Sequence, residues 1–253
     1  MIGDELALAE NITFFERLYI KLFGVPINGL RIRLRRILPV LNGSPQKVLD
    51  AGCGRGVFSY QLARKFPESR VYGVDLDAEQ LAVNRKIAEK AGLANLFFRE
   101  MDVAKLEFKD EFDLVLSVDN LEHVEDDDAA LRHLAGALKK GGRLVLHVPG
   151  FERRWFVFAF RENFAVPGHF RPGYRLEEIC DKVRATGLTL SSAHYTYGFL
   201  ENLSNNISYA ITKAEAKNKF IYALIFPLLN IMSFMGHKSR PKKGAGLLLV
   251  ASK

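Results

Sequence analysis

The sequence predicts an α/β protein built on an open, doubly wound, Rossmann-like sheet. Two observations carry this prediction. Short apolar runs alternate with helical stretches from Lys47 onward, at the spacing of strand–helix–strand units, and a cluster of glycines directly follows the first apolar run. The length of 253 residues, with 48% hydrophobic and 26% charged residues, excludes a disordered, collagenous or coiled-coil chain.

Residues 1–44 are expected to form amphipathic helices that serve as a cap or as a membrane-surface segment. One helix follows the capping box Thr13-Phe-Phe-Glu16 and ends at Gly24. A second helix is predicted from about residue 28 to residue 38, with one apolar face and four arginines on its remaining surface.

Residues 45–195 together with 244–253 are predicted to form the sheet domain. Residues 196–243 are predicted to be a helical insert before the last strand, acting as a lid or as a membrane anchor. Within the sheet domain, helices are expected near 57–66, 78–92 and 127–139. The predicted strands cover 48–50, 71–75, 96–99, 112–116, 142–147, 188–195 and 246–252.

The strongest local signal is the glycine loop, Asp50-Ala-Gly-Cys-Gly-Arg-Gly56, at the first strand-to-helix turn. Its glycines let the backbone turn tightly and let a ligand approach, and the peptide N–H groups at the start of the next helix can bind an anionic group. A dinucleotide-binding fingerprint would need a glycine at position 57, where this chain has Val57. The spacing therefore favours a smaller ligand that carries a carboxylate.

Acidic residues stand at the ends of the next two strands. Asp75, which comes 23 residues after Gly52, can accept both ribose hydroxyls of an adenosine. Asp102 can accept a hydrogen bond from the adenine amino group. Each feature alone also has an ordinary explanation, as a turn glycine, a surface acid or a helix cap. Because all of them fall at strand ends, where ligands bind in such sheets, a ligand is favoured.

In this order the segments resemble the motifs of class I S-adenosylmethionine-dependent methyltransferases. The glycine loop is similar to their first motif, Asp75 to their ribose-binding acid, 101–103 to their adenine loop, and 112–124 to their fourth strand with the turn after it. The resemblance implies an enzyme with a seven-stranded sheet, an antiparallel last strand and S-adenosyl-L-methionine as its cofactor. The cofactor-binding residues that it implies are Asp50, Gly52, Cys53, Gly54, Gly56, Asp75, Leu76, Asp102, Val103 and Asp119.

The acceptor is expected to be a small molecule, with nucleic acid unfavoured. Enzymes of this family that methylate amino groups of nucleic acids carry an Asn/Asp-Pro-Pro-aromatic motif after the fourth strand, and here that position reads Ser117-Val-Asp-Asn-Leu. Carbon-5 methylation of pyrimidines needs a cysteine nucleophile. Neither Cys53, inside the glycine loop, nor Cys180, on a predicted helix, suits that task.

Two histidines are candidates for a general base. His169 lies in a segment that resembles a Gly-His-x-Arg-x-x-Tyr element of a subset of these methyltransferases. There His169 can act as the base, while Arg171, with Tyr174, can hold an anionic part of the substrate. The alternative is a loop staple in which the His and Arg side chains bond backbone carbonyls. His147, at the end of the fifth strand, is the second base candidate or else a satisfied core histidine.

No metal is predicted. Asp119-x-x-Glu122-His123 resembles a metal-binding element of some O-methyltransferases of the family, and its oxygen and imidazole ligands are able to hold Mg²⁺. The same Glu-His-Val turn also occurs in metal-free relatives. We therefore expect Asp119 to border the cofactor instead.

The flanks of the sheet domain are basic and rich in large apolar residues. Residues 1–44 carry a net charge of +2 and residues 151–253 one of +8, whereas 45–150 carry −3. An apolar helix beside a cationic cluster is typical of a segment that binds anionic lipid. Alternatively, these helices roof the active site and turn their cations to water. Trp155, in the aromatic segment after the fifth strand, is assigned to the substrate site.

The sequence thus predicts a methyltransferase that acts on oxygen or nitrogen of a hydrophobic or amphiphilic small molecule, such as a lipid, a quinone or an isoprenoid-like compound, and that is peripherally associated with an anionic membrane surface. A soluble methyltransferase of a polar metabolite and a non-catalytic S-adenosylmethionine-binding scaffold are the alternatives. Two cysteines and an acidic start fit a cytoplasmic protein or one at the inner membrane face. The longest uncharged stretch, 220–236, is shorter than the roughly 20 residues of a spanning helix.

Overall fold

The computed structural model describes residues 3–10, 12–163, 168–212 and 218–253. Nine strands are found in these residues. They are β1 (Lys47–Ala51), β2 (Arg70–Asp75), β3 (Leu96–Glu100), β4 (Phe112–Val118), β5 (Leu138–Pro149), β6 (Glu152–Arg154), β7 (Phe160–Glu162), β8 (Thr189–Thr196) and β9 (Gly246–Ser252).

Seven of the strands form one mixed sheet with the order β3-β2-β1-β4-β5-β9-β8, and β6 and β7 form a separate hairpin. β1 to β5 are parallel, whereas β9 is antiparallel to both β5 and β8, which lie on either side of it. The predicted seven-stranded sheet with an antiparallel last strand is confirmed. Because the strand order reverses between β1 and β4, the crevice that binds ligands in such sheets lies beyond the carboxyl ends of these two strands.

Eight α-helices are found in the part of the chain that the structure describes. The capping box at Thr13 and Glu16 is present at the start of the first helix, as predicted. The helices are α1 (Phe14–Phe23), α2 (Asn28–Ile37), α3 (Val57–Lys65), α4 (Ala78–Lys90), α5 (Asp127–Ala137), α6 (Leu176–Ala185), α7 (Phe199–Thr212) and α8 (Lys219–Gly236).

An apolar core lies on each face of the sheet. Successive side chains of a strand point to opposite faces, so Leu49 of β1 packs with α5 and α6 while Val48 packs with α2, α3 and α4. Both side chains are fully buried, and burial of a side chain of this size stabilises the fold by roughly 1.5–3 kcal/mol. The two cores fix the sheet, and with it the positions of the strand ends.

Two details differ from the sequence-based expectation. β5 begins at Leu138, four residues before the predicted start, because the buried Leu138 already pairs with Phe112 across an irregularity in the ladder. The hairpin of β6 and β7 was not predicted, since strands of three residues with charged side chains carry no alternating pattern. The predicted insert contains α7 and α8.

The arginines of α2 point into contacts between helices. Arg36 donates to Glu201 Oε1 of α7 at 2.8 Å, and Glu201 is completely buried. Arg35 donates to Ser233 Oγ of α8 at 2.9 Å, and the buried Arg31 donates from Nε to Val25 O at 3.1 Å. Much of the positive charge of the N-terminal flank is therefore used inside the protein, and α2 joins the sheet domain to the insert.

α8 is the one helix among the described residues with the length and composition of a membrane span, and 28% of it is buried inside the protein. It has 18 residues, and Pro227 lies within it. A helix that crosses the hydrocarbon core needs about 20 apolar residues. The exposed remainder of α8 is the largest apolar helix surface of the insert.

Candidate active site

The glycine loop connects β1 to α3. Gly52, Gly54 and Gly56 have φ angles of +74°, +48° and +73°, in the left-handed region that side chains with a Cβ disfavour. The Gly54 N–H donates to Asp75 Oδ2 at 2.7 Å, and the Gly52 N–H donates to Val74 O at 2.9 Å. These bonds hold the loop against the end of β2, the position that the sequence predicts for it.

Beside the loop, the ends of β2 and β3 present the predicted adenosine-binding side chains. The second oxygen of Asp75 accepts from the Asp77 N–H at 3.1 Å. Leu76 is 65% exposed, which leaves an apolar surface next to the Asp75 carboxylate. Asp102 Oδ1 accepts from the Ala104 N–H at 2.9 Å and caps a short turn in which Val103 is buried. The strand pairing therefore brings the three candidates Asp75, Leu76 and Asp102 to one edge of the sheet.

Asp50 and Cys53 support the glycine loop from the interior. Asp50 is 2% exposed and accepts from Ser59 Oγ at 2.5 Å. Burial raises the pKa of Asp50 to about 7 in spite of this hydrogen bond, and Asp75 raises it further. Burial, together with the charge of Asp50, also raises the pKa of the Cys53 thiol. A neutral, buried thiol is a poor nucleophile, in line with the exclusion of cysteine chemistry.

Asn120, just after β4, faces the glycine loop and was not predicted. A Cβ added to Gly52 would lie 2.2 Å from the Asn120 side chain, so the absence of a side chain at position 52 is required there. Asn120 Nδ2 is buried and has no hydrogen-bond partner among the described residues. A buried donor without a partner carries a desolvation cost that a bound acceptor removes. The carboxylate of S-adenosylmethionine is such an acceptor, so this donor and the loop fit the predicted cofactor.

Asp119 lies at the centre of a charged network at the end of β4. Its Oδ1 pairs with His147 Nδ1 at 2.6 Å, its Oδ2 with Arg33 of α2, and His147 Nε2 pairs with Thr196 Oγ1 at 3.0 Å. Burial acts to raise the pKa of the Asp119 carboxyl, but Arg33 and His147 outweigh it and hold this pKa below its ordinary value. The backbone of Asp119 has a φ of +46°, a conformation that the network stabilises.

This network corrects the assignment of His147. The residue is 1% exposed, and both ring nitrogens are occupied by Asp119 and Thr196. It corresponds to the alternative of a satisfied core histidine, so we do not carry it forward as a base. Arg33 and Thr196 were missed because each comes from a distant part of the chain, and Arg33 resembled the solvated side of a basic helix.

His169 remains the base candidate. Its Nδ1 is buried without a hydrogen-bond partner among the described residues, and its ring lies edge-on to that of His123, with the centroids 4.3 Å apart. Burial lowers the pKa of His169, and His123 lowers it further. The neutral imidazole, which is the form that accepts a proton, is thereby favoured near neutral pH.

Glu122 is the buried acid next to these histidines. It is 2% exposed, and burial together with Asp119 raises its pKa well above the ordinary value. Ligand atoms of Glu122, His123 and His169 lie within 4.8 Å of one another, a spacing from which a metal ion could be bound. Asp119, which the sequence motif had grouped with Glu122 and His123, is instead bonded to Arg33 and His147. The absence of a metal stays a prediction.

Arg171 and Tyr174 form a brace within the fold. The Arg171 guanidinium donates to Glu125 O at 2.8 Å and to Val124 O at 3.1 Å, and it also pairs with Asp127. Tyr174 is 1% exposed, and its hydroxyl donates to Asp127 Oδ2 at 2.9 Å. Arg171 therefore bonds backbone carbonyls as in the loop-staple alternative, whereas Tyr174 is held by the Asp127 carboxylate. Both side chains are engaged inside the fold, and their assignment to the substrate stays a prediction.

Trp155 has contacts within the hairpin of β6 and β7. It is half-buried in the connection between β6 and β7, where its Nε1 donates to Glu162 O at 3.4 Å. The Arg153 guanidinium lies over its ring, 5.1 Å from the centroid. Its assignment to the substrate site stays a prediction.

Comparison with known proteins shows the family to which this chain is similar. The family model of a methyltransferase domain matches residues 43–220. The chain is 28% identical over 162 residues to the ubiquinone biosynthesis O-methyltransferase of Acinetobacter baumannii, a match that covers 59% of this chain and 68% of that one. It is 38% identical over 106 residues to an uncharacterized protein of Synechococcus, covering 40% of this chain but 24% of that protein.

A solved structure with the same fold is that of geranyl diphosphate C-methyltransferase from Streptomyces coelicolor, in complex with Mg²⁺, geranyl diphosphate and S-adenosyl-L-homocysteine. The TM-score is 0.61 at 16% identity, and the match covers 99% of this chain and 87% of that one. At this level of identity the match shows a shared fold only.

Proposed function

The chain belongs to the class I S-adenosylmethionine-dependent methyltransferases, and from this premise we propose that it methylates an oxygen or nitrogen atom of a hydrophobic or amphiphilic small molecule at a membrane surface. A lipid, a quinone or an isoprenoid-like compound is the concrete acceptor class. The relatives named ubiquinone biosynthesis O-methyltransferase support a quinone-like acceptor.

The observation that carries the proposal is an apolar surface shared by α1 and α8. The Tyr19 hydroxyl of α1 donates to Ala223 O of α8 at 2.6 Å and joins the two helices. Five large apolar side chains of α1 and seven of α8 are between 41% and 87% exposed. The most exposed are Phe15 and Phe220. Exposed apolar side chains in this number on two joined helices are typical of a surface that binds a membrane or a partner.

Cations adjoin this apolar surface and favour an anionic membrane as its partner. Lys219 begins α8, and Lys238, Arg240 and Lys242 follow its end as exposed side chains. Each such cation near an anionic bilayer contributes on the order of 1 kcal/mol. The arginines of α2 are not counted among the cations that would face the membrane, because they bind α7, α8 and Asp119.

In the reaction itself, the protein has to align the acceptor and remove a proton from it. S-adenosylmethionine, when bound, would supply a sulfonium methyl group whose carbon an acceptor oxygen or nitrogen attacks in line, while the carbon–sulfur bond breaks and S-adenosyl-L-homocysteine leaves. The glycine loop and Asp75 would hold the cofactor, and Asn120 would bind its carboxylate. His169, with its unpaired ring nitrogen, would take the proton of a hydroxyl acceptor.

The test of the acceptor class uses methyl-labelled S-adenosylmethionine, the purified protein and a fractionated lysate of its source cells. Label in the organic-extractable fraction is expected and gives a product to identify by mass. Label confined to aqueous small molecules would replace the proposal by a polar-metabolite methyltransferase with α7 and α8 as a lid. Cofactor binding without label in any fraction would favour a non-catalytic scaffold.

The membrane part is tested separately by sedimentation with phosphatidylglycerol vesicles and with phosphatidylcholine vesicles. Leu224, on the exposed side of α8, is the position for the variant, and Val83, exposed on α4, is the matched control. Leu224→Glu is expected to weaken binding to the anionic vesicles at least tenfold, while Val83→Glu leaves it unchanged. Equal binding by all three proteins, or no binding by the unmodified one, would refute the surface.

A further inference from the structure

α4 buries one polar side chain within an otherwise apolar stripe. Leu81, Ile87 and Ala88 belong to the core that α4 shares with α2 and α3, and Asn84 lies between them with none of its surface exposed. Asparagine is a poor residue for the interior of a helix, and a buried amide costs free energy unless it is hydrogen-bonded. The amide group of Asn84 therefore calls for an explanation.

The Asn84 amide connects α4 to the glycine loop and to α3. Its Nδ2 donates to the carbonyl oxygen of Gly54 at 2.7 Å. Its Oδ1 accepts from Gln80 Nε2 at 2.9 Å and from the Tyr60 hydroxyl at 3.3 Å. Because a carbonyl oxygen can only accept, the Nδ2 end of the Asn84 amide is the one that faces the loop.

Asn84 and Tyr60 also pack directly against the loop. A Cβ added to Gly56 would lie 2.9 Å from Tyr60 Cζ and 3.2 Å from Asn84 Cγ. At Gly54, by contrast, an added Cβ would meet nothing within 4 Å. Gly54 is instead held by hydrogen bonds at both of its backbone groups, since its N–H donates to Asp75 Oδ2 and its carbonyl accepts from Asn84.

The bond from Asn84 also determines where the next N–H group of the loop points. In a planar trans peptide the C=O and N–H groups point in opposite directions. The Gly54 carbonyl points to α4, so the Arg55 N–H points away from that helix. No acceptor for the Arg55 N–H is found among the residues that the structure describes, whereas the Gly56 N–H donates to Cys53 O at 2.9 Å. The Arg55 N–H is therefore a loop donor that is left for an anionic ligand.

We propose that Asn84 is a positioning residue for the cofactor, which keeps the Arg55 N–H available to the carboxylate of S-adenosylmethionine. Without the Asn84 amide, the peptide between Gly54 and Arg55 loses the bond that fixes its carbonyl. Glycine resists rotation of the adjoining peptide less than any other residue does. The carbonyl oxygen can then turn toward the carboxylate and repel it. This role requires only that the protein binds S-adenosylmethionine, whatever its acceptor is.

The test compares two ligands of the full-length protein by calorimetry, S-adenosyl-L-homocysteine, which has the carboxylate, and adenosine, which lacks it. Asn84→Ala is expected to weaken the binding of S-adenosyl-L-homocysteine by about tenfold or more, because the loop peptide is no longer held. The binding of adenosine is expected to weaken by less than about threefold, since Asp75 and Asp102 remain. A purely structural role of Asn84 would weaken both ligands alike.

Asn95→Ala is the matched control, since it also removes a side-chain amide that bonds backbone carbonyls. Asn95 Nδ2 donates at 3.1 Å to the carbonyls of Ala63, Phe66 and Ser69, before β3 and at the opposite end of the sheet from the glycine loop. This variant is expected to lower the melting temperature while leaving both affinities unchanged.

Two results would overturn the proposal. One is an affinity for S-adenosyl-L-homocysteine that Asn84→Ala leaves unchanged, and the other is an equal loss for the two ligands in that variant. Since the measurements contain no methyl acceptor, neither result depends on the acceptor class proposed above.

Discussion

The ion pair between Arg36 and Glu201 gives the sharpest prediction about stability. Glu201 is completely buried on α7, and the Arg36 side chain is 9% exposed on α2. Besides the carboxylate, the guanidinium donates to the carbonyl of Gly236, the last residue of α8, at 3.1 Å and to Ser239 O, just beyond that helix, at 2.6 Å. Replacement of Arg36 by leucine would leave a buried carboxylate without its countercharge.

The expected cost is large, because removing one partner of a buried ion pair typically destabilises a protein by about 3–5 kcal/mol. Replacing both partners by apolar residues is often close to neutral. Here the two carbonyls at the end of α8 would still lose a donor, so the double variant Arg36→Leu/Glu201→Leu is expected to recover at least half of the loss and not all of it. For a chain of this size the single variant corresponds to a melting temperature lower by about 6–20 °C.

Urea unfolding, followed by circular dichroism and by Trp155 fluorescence, measures both variants. Arg17→Leu in α1 serves as a control for loss of a positive charge at a more exposed site. The reasoning is refuted if Arg36→Leu costs less than 1 kcal/mol, or if the double variant is as unstable as the single one. The second result would assign the loss to the contacts of Arg36 with the end of α8.

Four further outcomes are expected at the active site. Gly52→Ala should weaken S-adenosylmethionine binding at least 100-fold in calorimetry, because its Cβ would clash with Asn120, while Gly136→Ala, in open space on α5, should bind normally. The unfolding free energy of the unmodified protein should fall relative to that of Asp50→Asn by about 3 kcal/mol as the pH rises from 5 to 8. The folded state holds the Asp50 proton up to about pH 7 and the unfolded state only to 3.8, so the carboxylate costs stability as pH rises; a difference independent of pH would contradict this. His169→Ala should lower kcat at least 100-fold with cofactor affinity retained, and comparable loss of both would indicate a structural role. EDTA should leave turnover unchanged, and a loss restored by Mg²⁺ would show that the enzyme uses a metal.

The sheet was predictable from sequence because most of its strands are apolar runs with local boundaries. Gly246–Ser252 is buried over almost its whole length and reads as a strand without knowledge of its neighbours. The glycine loop and Asp75 were equally accessible, since a turn and a strand end are local features. Leu138 shows the limit of this reasoning, because its place in β5 depends on pairing with a residue of another strand.

The polar partners in the site depended on contacts between distant segments. Arg33 and Asp119 are 86 residues apart, and nothing in the run of arginines around Arg33 distinguishes a buried side chain from a solvated one. Asn120 acquires its role from the left-handed turn at Gly52. His147 and Thr196 meet only because β8 and β9 pair beside β5. The partners of these side chains therefore depend on contacts between distant segments, which local sequence patterns do not reveal.

The position of β9 in the sheet has a consequence for biosynthesis. β9 fills the gap between β5 and β8, although it is made after both of them. Until it emerges from the ribosome, the nascent protein carries one open edge on β5, and β8 has no strand to pair with in the main sheet. Unpaired, apolar strand edges recruit other chains into aggregates. We expect molecules whose translation stops before Gly246 to depend on chaperones and to be removed by proteolysis.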